Sequence, residues 1–133
     1  MSSKKVLVLC TGNSCRSIIA EAVLKAEGIN AVSAGVEASG RVNPNAKKVL
    51  EENGIWRDEF YSKTVDEVID EDFDLVVTVC DNAKETCPVF PKKTKTIHIP
   101  FEDPDGKKYE EFIKTYNEIR SKLLPVVKKI LVH

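Results

Sequence analysis

Val6-Leu-Val-Leu-Cys10-Thr-Gly-Asn-Ser-Cys15-Arg16-Ser17 is the stretch that decides the fold. It opens on a short, continuous apolar run, the pattern of a strand buried on both faces. Beyond Ser17, the residues Ile18, Ile19, Ala22, Val23 and Ala26 recur at helical spacing, and Gly28 stands where a C-terminal cap belongs. A buried strand therefore runs through a small polar loop straight into a helix.

The same alternation continues outward. Residues 31–34 and 74–79 read as further apolar strands and residues 96–99 as a fourth. Asn43-Pro44 opens a helix with a cap residue and a proline at its first position, and Asn53-Gly54 closes it. Residues 64–69 carry a capping box, Thr64 with Glu67. Residues 82–86 are short and polar, a brief helix or a loop. The last helical face is marked by Tyr109, Phe112, Ile113, Tyr116, Ile119, Leu123 and Val126, and Pro125 should kink it or begin a new segment. Strands alternating with helices predict an α/β fold, a single three-layer domain over residues 1–133 with a four-stranded parallel sheet flanked by helices.

Composition narrows the function. The 133 residues carry 20 Lys and Arg against 21 Asp and Glu, so no basic patch calls for nucleic acid or an anionic membrane. The apolar run after Lys4 and Lys5 is too short for a signal-peptide core, and no segment approaches a membrane span. These features predict a soluble, cytoplasmic protein. Four cysteines in such a setting point to catalysis or metal rather than a disulfide framework. Four residues separate Cys10 from Cys15 and six separate Cys80 from Cys87, and the second spacing fits structural zinc poorly. No metal or cofactor is expected.

In parallel sheets ligands bind beyond the carboxyl ends of the strands. Cys10 ends the first strand, Gly12 permits a tight turn and Asn13 tolerates a left-handed conformation. The N–H groups of Thr11, Gly12, Asn13, Ser14, Cys15, Arg16 and Ser17 can then turn inward as an anion nest at a helix N-terminus. Arg16 adds a planar fork suited to two oxygens of a tetrahedral anion. This setting predicts a Cys10 thiol depressed from about 8.5 into the range of roughly 3.5–7.5, with the Ser17 hydroxyl available to the same sulfur. Cys15, inside the first turn, is expected to face the core as a structural thiol. The two histidines, His98 and His133, offer no partner for Cys10.

The pattern Cys-x5-Arg-Ser after an N-terminal strand resembles the phosphate-binding loop of the low-molecular-weight protein tyrosine phosphatase superfamily. Its form here, Cys10 to Ser17, is most similar to the thioredoxin-coupled arsenate reductase branch. Ser33-Ala-Gly35, Asn43-Pro44, Asp74-Leu-Val-Val-Thr78, Cys80 with Cys87, and Phe101-Glu-Asp-Pro104 extend the likeness over nearly the whole chain. The resemblance implies that Cys10 is the nucleophile, that Arg16 clamps the oxyanion and that Asp103 protonates the departing oxygen. It further implies a relay in which Cys80 attacks Cys10 and Cys87 attacks Cys80, with thioredoxin or a similar dithiol as reductant. Arsenate would be the substrate, with phosphate or phosphoesters as relatives of the same shape and charge. Asn13, Glu21, Ser33 and Asp66 match positions that hold potassium in some relatives, ordinary hydrogen bonding being the alternative. Two further functions compete: a phosphatase using Cys10, Arg16 and Asp103 alone, and a non-enzymatic redox switch signalling through Cys80 and Cys87.

Overall fold

A computed structural model describes residues 4–85 and 94–132, with Asn82 and Lys84 given by their backbone alone. Four strands form one sheet: β1 (Lys5–Cys10), β2 (Asn30–Gly35), β3 (Leu75–Thr78) and β4 (Lys95–His98). All pair in parallel, in the order β2-β1-β3-β4. The central strands earn their place by composition, since Val6 to Leu9 and Leu75 to Val77 are fully buried. The helices are α1 (Arg16–Ala26), α2 (Pro44–Glu52), α3 (Asp81–Glu85), α4 (Tyr109–Glu118) and α5 (Leu124–Val132). Helix α1 packs on β1 and β2 and is covered by α2 and α4, while α3 lies against β1 and β3. The four-stranded parallel α/β architecture expected from the alternating pattern is the observed one.

Strand limits move by a residue or so, for identifiable reasons. Asp74 does not join β3 because its carboxylate accepts the Lys5 N–H at 2.8 Å. The 64–69 segment is a single 3-10 turn, Val65–Glu67, with the capping box formed as expected. The short polar stretch after Cys80 is helical, as α3.

The C-terminal helix departs from its expected face. Phe112, Tyr116, Ile119 and Leu123 are buried, but Ile113 and Val126 are exposed, Ile113 because it follows directly on buried Phe112 around the helix, and Val127 is buried in place of Val126. Between α4 and α5 the chain makes a π turn, Ile119–Leu123. A π turn carries one residue more than an α turn, so the buried stripe advances by one. Pro125 explains the turn: its ring and missing N–H cannot accommodate a regular helical bond to Ser121, and widening the preceding turn relieves the conflict.

The order β2-β1-β3-β4 places the change of winding direction between β1 and β3. A crevice opens at the carboxyl ends of strands on either side of such a point. The loop after β1 begins at Cys10 and the loop after β3 begins at Val79-Cys80, so two cysteines share the mouth of one crevice.

Candidate active site

The loop of residues 11–15 is shaped by where its carbonyls go. Cys10 O accepts from Val36 N–H at 3.1 Å, Thr11 O from Glu37 N–H at 2.9 Å, Gly12 O from Ser39 N–H at 2.9 Å and Ser14 O from Asn43 N–H at 3.0 Å. With the carbonyls drawn outward, the amides turn inward. Among the described residues, the backbone N–H groups of residues 12–17 donate to no protein acceptor. Helix α1 starts at Arg16 with no side-chain cap. Inward-turned amides and an uncapped helix N-terminus form an anion nest.

Asn13, not Gly12, takes the left-handed conformation, at φ 49°. A buried network holds it there. Its Nδ2 donates to Ser17 Oγ at 2.7 Å and to Ser33 Oγ at 3.0 Å, and its Oδ1 accepts Lys63 N–H at 2.9 Å. Ser33 in turn donates to Glu21 Oε1 at 2.6 Å, and Lys25 pairs with Glu21 Oε2 at 3.1 Å. Ser17 Oγ thus accepts within the loop scaffold, and among the described residues it makes no hydrogen bond to the Cys10 sulfur. The residues matched to a potassium site do not fit a cation in this arrangement. Asn13 Oδ1 and both Glu21 oxygens already have donors, the Lys25 ammonium neutralises the carboxylate, and Asp66 is exposed. Among the described residues no cluster of three His, Cys, Asp or Glu is placed to hold a metal.

Arg16 reaches across the nest to the loop after β4. Its Nη1 donates to Phe101 O at 3.0 Å and its Nη2 lies 3.5 Å from Asp103 Oδ2. Its Nε is buried without a hydrogen-bond partner, the single such side-chain atom among the described residues. A buried guanidinium N–H left unmatched is costly unless something accepts from it, and a tetrahedral anion in the nest would do so.

Cys10 and Cys80 are both buried free thiols, close enough that each dominates the other's titration. Here the direction for Cys10 runs against the expectation. The hydrogen bond to Cys80 and burial push the Cys10 thiol up, against the Arg16 charge and the Thr11 N–H. The Cys80 thiol is lowered to about 5, chiefly by the bond from Cys10, then by Thr11 and the Ala83 N–H, against burial. The Thr11 hydroxyl lies 3.2 Å from Cys80 Sγ and Ala83 N–H donates to it at 3.4 Å. The two thiols are coupled, each being the largest influence on the other's titration. Only a neighbouring thiol could invert the order, and sequence spacing did not show how closely Cys80 approaches.

Cys15 behaves as expected. It is buried and its thiol is pushed up to about 12, mainly by burial. Asp103 stands over the nest on an irregular loop, half exposed. Cys87 lies outside the described residues. His98, set aside in the sequence, does have partners: Nδ1 shares a hydrogen bond with Thr78 Oγ1 at 2.7 Å and Nε2 with Asp81 Oδ1 at 3.0 Å. It ties the start of α3 to β4. The signal available in the sequence was an acid directly after Cys80 and a histidine ending the neighbouring strand.

A nest with a free guanidinium donor, a sulfur at its base and a carboxyl above it can bind a tetrahedral oxyanion and attack its centre. Comparison with known proteins agrees: residues 5–131 match the low molecular weight phosphotyrosine protein phosphatase family, and the chain belongs to that family. Within it, the chain is 41% identical over 125 residues to an arsenate reductase of Brevibacillus brevis, covering 92% of each protein. Among solved structures it resembles an arsenate reductase from Archaeoglobus fulgidus, with TM-score 0.78, 36% identity and coverage of 92% of this chain and 98% of that one. It also resembles a low molecular weight protein tyrosine phosphatase from T. tengcongensis, with TM-score 0.81, 30% identity and coverage of 96% and 99%. Among the described residues, no helix is long and apolar enough to cross a membrane.

Proposed function

We propose that this protein reduces arsenate to arsenite through a relay of Cys10, Cys80 and Cys87, with thioredoxin or a similar dithiol as the final reductant. The observation that carries the reading is the Cys80 sulfur set against the Cys10 loop, 3.2 Å from the Thr11 hydroxyl, since phosphoester hydrolysis needs no second thiol there. The names of the relatives point the same way.

Arsenate binds in the nest of residues 11–17, where the amides and the free Nε–H of Arg16 donate to its oxygens. Cys80, as thiolate, takes the Cys10 proton as Cys10 attacks arsenic. Asp103 protonates the hydroxyl that leaves as water. The Cys80 sulfur gives the proton taken from Cys10 to solvent water and, as thiolate, attacks Cys10 Sγ. The electron pair of the sulfur–arsenic bond passes to arsenic, which departs as arsenite, and a Cys10–Cys80 disulfide remains. Cys87 then attacks Cys80, freeing Cys10, and the Cys80–Cys87 disulfide is reduced by two thiols of the partner. A reducing compartment, the cytoplasm, suits such a cycle.

The test is arsenate-dependent NADPH oxidation with thioredoxin and thioredoxin reductase, for wild type and for Cys10→Ser, Cys80→Ser and Cys87→Ser. Loss of multiple turnover in all three is expected. Full multiple turnover by Cys87→Ser would refute the relay. The second reading, a phosphatase, draws on the family and on the completeness of Cys10, Arg16 and Asp103 without the other thiols. Hydrolysis of para-nitrophenyl phosphate needing only Cys10, with no arsenate turnover, would establish it.

A further inference from the structure

Asn43 stands where the nest, a helix start and the acid-bearing loop meet. Its backbone N–H donates to Ser14 O in the nest at 3.0 Å. Its Oδ1 caps α2 by accepting Asn45 N–H at 2.8 Å. Its Nδ2 donates to Asp105 Oδ1 at 2.7 Å, and Asp105 N–H donates to Asp103 Oδ1 at 3.0 Å. Hydrogen bonds therefore run without a break from Ser14 through Asn43 and Asp105 to Asp103.

The residue type is informative. Ser, Thr and Asp cap helices about as well as Asn. Asn carries the cap acceptor and the donor to a facing carboxylate on two separate atoms, where Ser or Thr would need one short hydroxyl to reach both partners. The loop it meets has no regular secondary structure. On the β3 side the loop is held at Phe101, whose N–H donates to Val79 O at 3.1 Å and whose carbonyl accepts from Arg16. Asp103 itself is half exposed and would otherwise sample several rotamers. The Asn43–Asp105 bond ties the far end of the loop to the opposite wall.

We propose that Asn43 is a positioning residue, holding Asp103 over the nest through Asp105. This rests on the reading of Asp103 as the proton donor. Asn43→Ser keeps an oxygen for the cap and removes the tie, whereas Asn43→Asp keeps the cap and sets two carboxylates against each other. Joining Asn43→Asp with Asp105→Asn exchanges donor and acceptor, restores the bond and leaves the net charge unchanged.

The experiment measures single-turnover arsenate reduction with protein in excess, beside arsenate affinity from protection of Cys10 against alkylation. A positioned acid contributes about 10²–10⁴-fold, so loss of its placement should cost at least about tenfold in rate. Asn43→Ser should show that loss with affinity changed less than about threefold, and the exchanged pair should recover most of the rate lost in Asn43→Asp. A wild-type rate in Asn43→Ser overturns the proposal, as does failure of the exchanged pair to recover. Full activity in Asp103→Asn removes the proton-donor reading and this proposal with it. If wild type consumes no arsenate, the reductase reading alone fails, and the same variants are measured on phenyl phosphate, whose poor leaving group needs an acid. There the same pattern must appear, or the proposal falls too.

Discussion

Gly35→Ala should damage the anion nest without touching any reacting atom. Gly35 ends β2 directly opposite Cys10, and a Cβ there would lie 2.5 Å from Thr11 O, 3.0 Å from Asn13 Cβ and 3.1 Å from Asn13 N. Something must shift by about 0.5 Å merely to reach the shortest separations that real Cβ atoms show. Gly35 cannot retreat, because its N–H is bonded to Lys63 O at 2.9 Å and its strand is paired along its length with β1. The loop must therefore yield, at the carbonyl that Glu37 N–H fixes and at the left-handed Asn13. Overpacking of this kind costs about 1–3 kcal/mol, which for a domain of this size is a Tm loss of roughly 3–15 °C. The functional cost should be larger, since one misplaced oxyanion donor costs about 10²–10³-fold in rate. Differential scanning calorimetry gives the first quantity, and phosphate protection of Cys10 from iodoacetamide, with the single-turnover rate, gives the second. An Ala variant with wild-type Tm and unchanged phosphate protection would refute the reasoning that Gly35 sets the loop.

Two further perturbations follow from the geometry. Thr11→Val removes the hydroxyl beside Cys80, so the Cys80 thiol should rise from about 5, read from thiolate absorbance against pH. The sign of the linked stability is fixed: a thiol lower in the folded than in the unfolded chain stabilises fully above the ordinary thiol range, and loses that contribution as pH falls through about 5. Urea unfolding should thus show stability climbing from pH 5 towards pH 8, less steeply in Thr11→Val, and equal slopes would contradict it. His98→Phe breaks the tie to Asp81 at the start of α3. An exposed pair of this kind is worth no more than about 1 kcal/mol globally, so Tm should barely move while hydrogen exchange at Ala83 accelerates, and unchanged exchange there would show that the tie holds nothing.

The strand–loop–helix unit at Cys10 was legible because each level agrees: an apolar run, a polar loop with residues suited to unusual turns, then helical periodicity. The same consistency made α2 readable from Asn43-Pro44, with the cap formed as expected. What the sequence concealed was lateral. Val126 was the periodic choice for the core, but the π turn that accommodates Pro125 hands that place to Val127. The Cys10 setting looked like that of a lone thiolate until β1 and β3 brought Cys80 against it. Ser17 and Thr11 both offer hydroxyls near the loop, and only the tertiary network decides that Asn13 engages the first while Cys80 meets the second. Asn43 announced its cap and not its bond across the site, because its partner lies 62 residues further along the chain.

The adjacency of β1 and β3 also acts as a gauge. Neighbouring strands run about 4.8 Å apart, a spacing inside the roughly 4.4–6.8 Å that a disulfide tolerates between its Cα atoms. Cys10 closes one of these strands and Cys80 follows two residues after the other. Their sulfurs can be joined or parted by rotating side chains, while the rigid pleat keeps its dimensions. A bond at that seam would leave the architecture undisturbed. On the proposed relay, drawing Cys80 away from Cys10 would displace the short helix that begins at Asp81, while the sheet beneath it keeps its place.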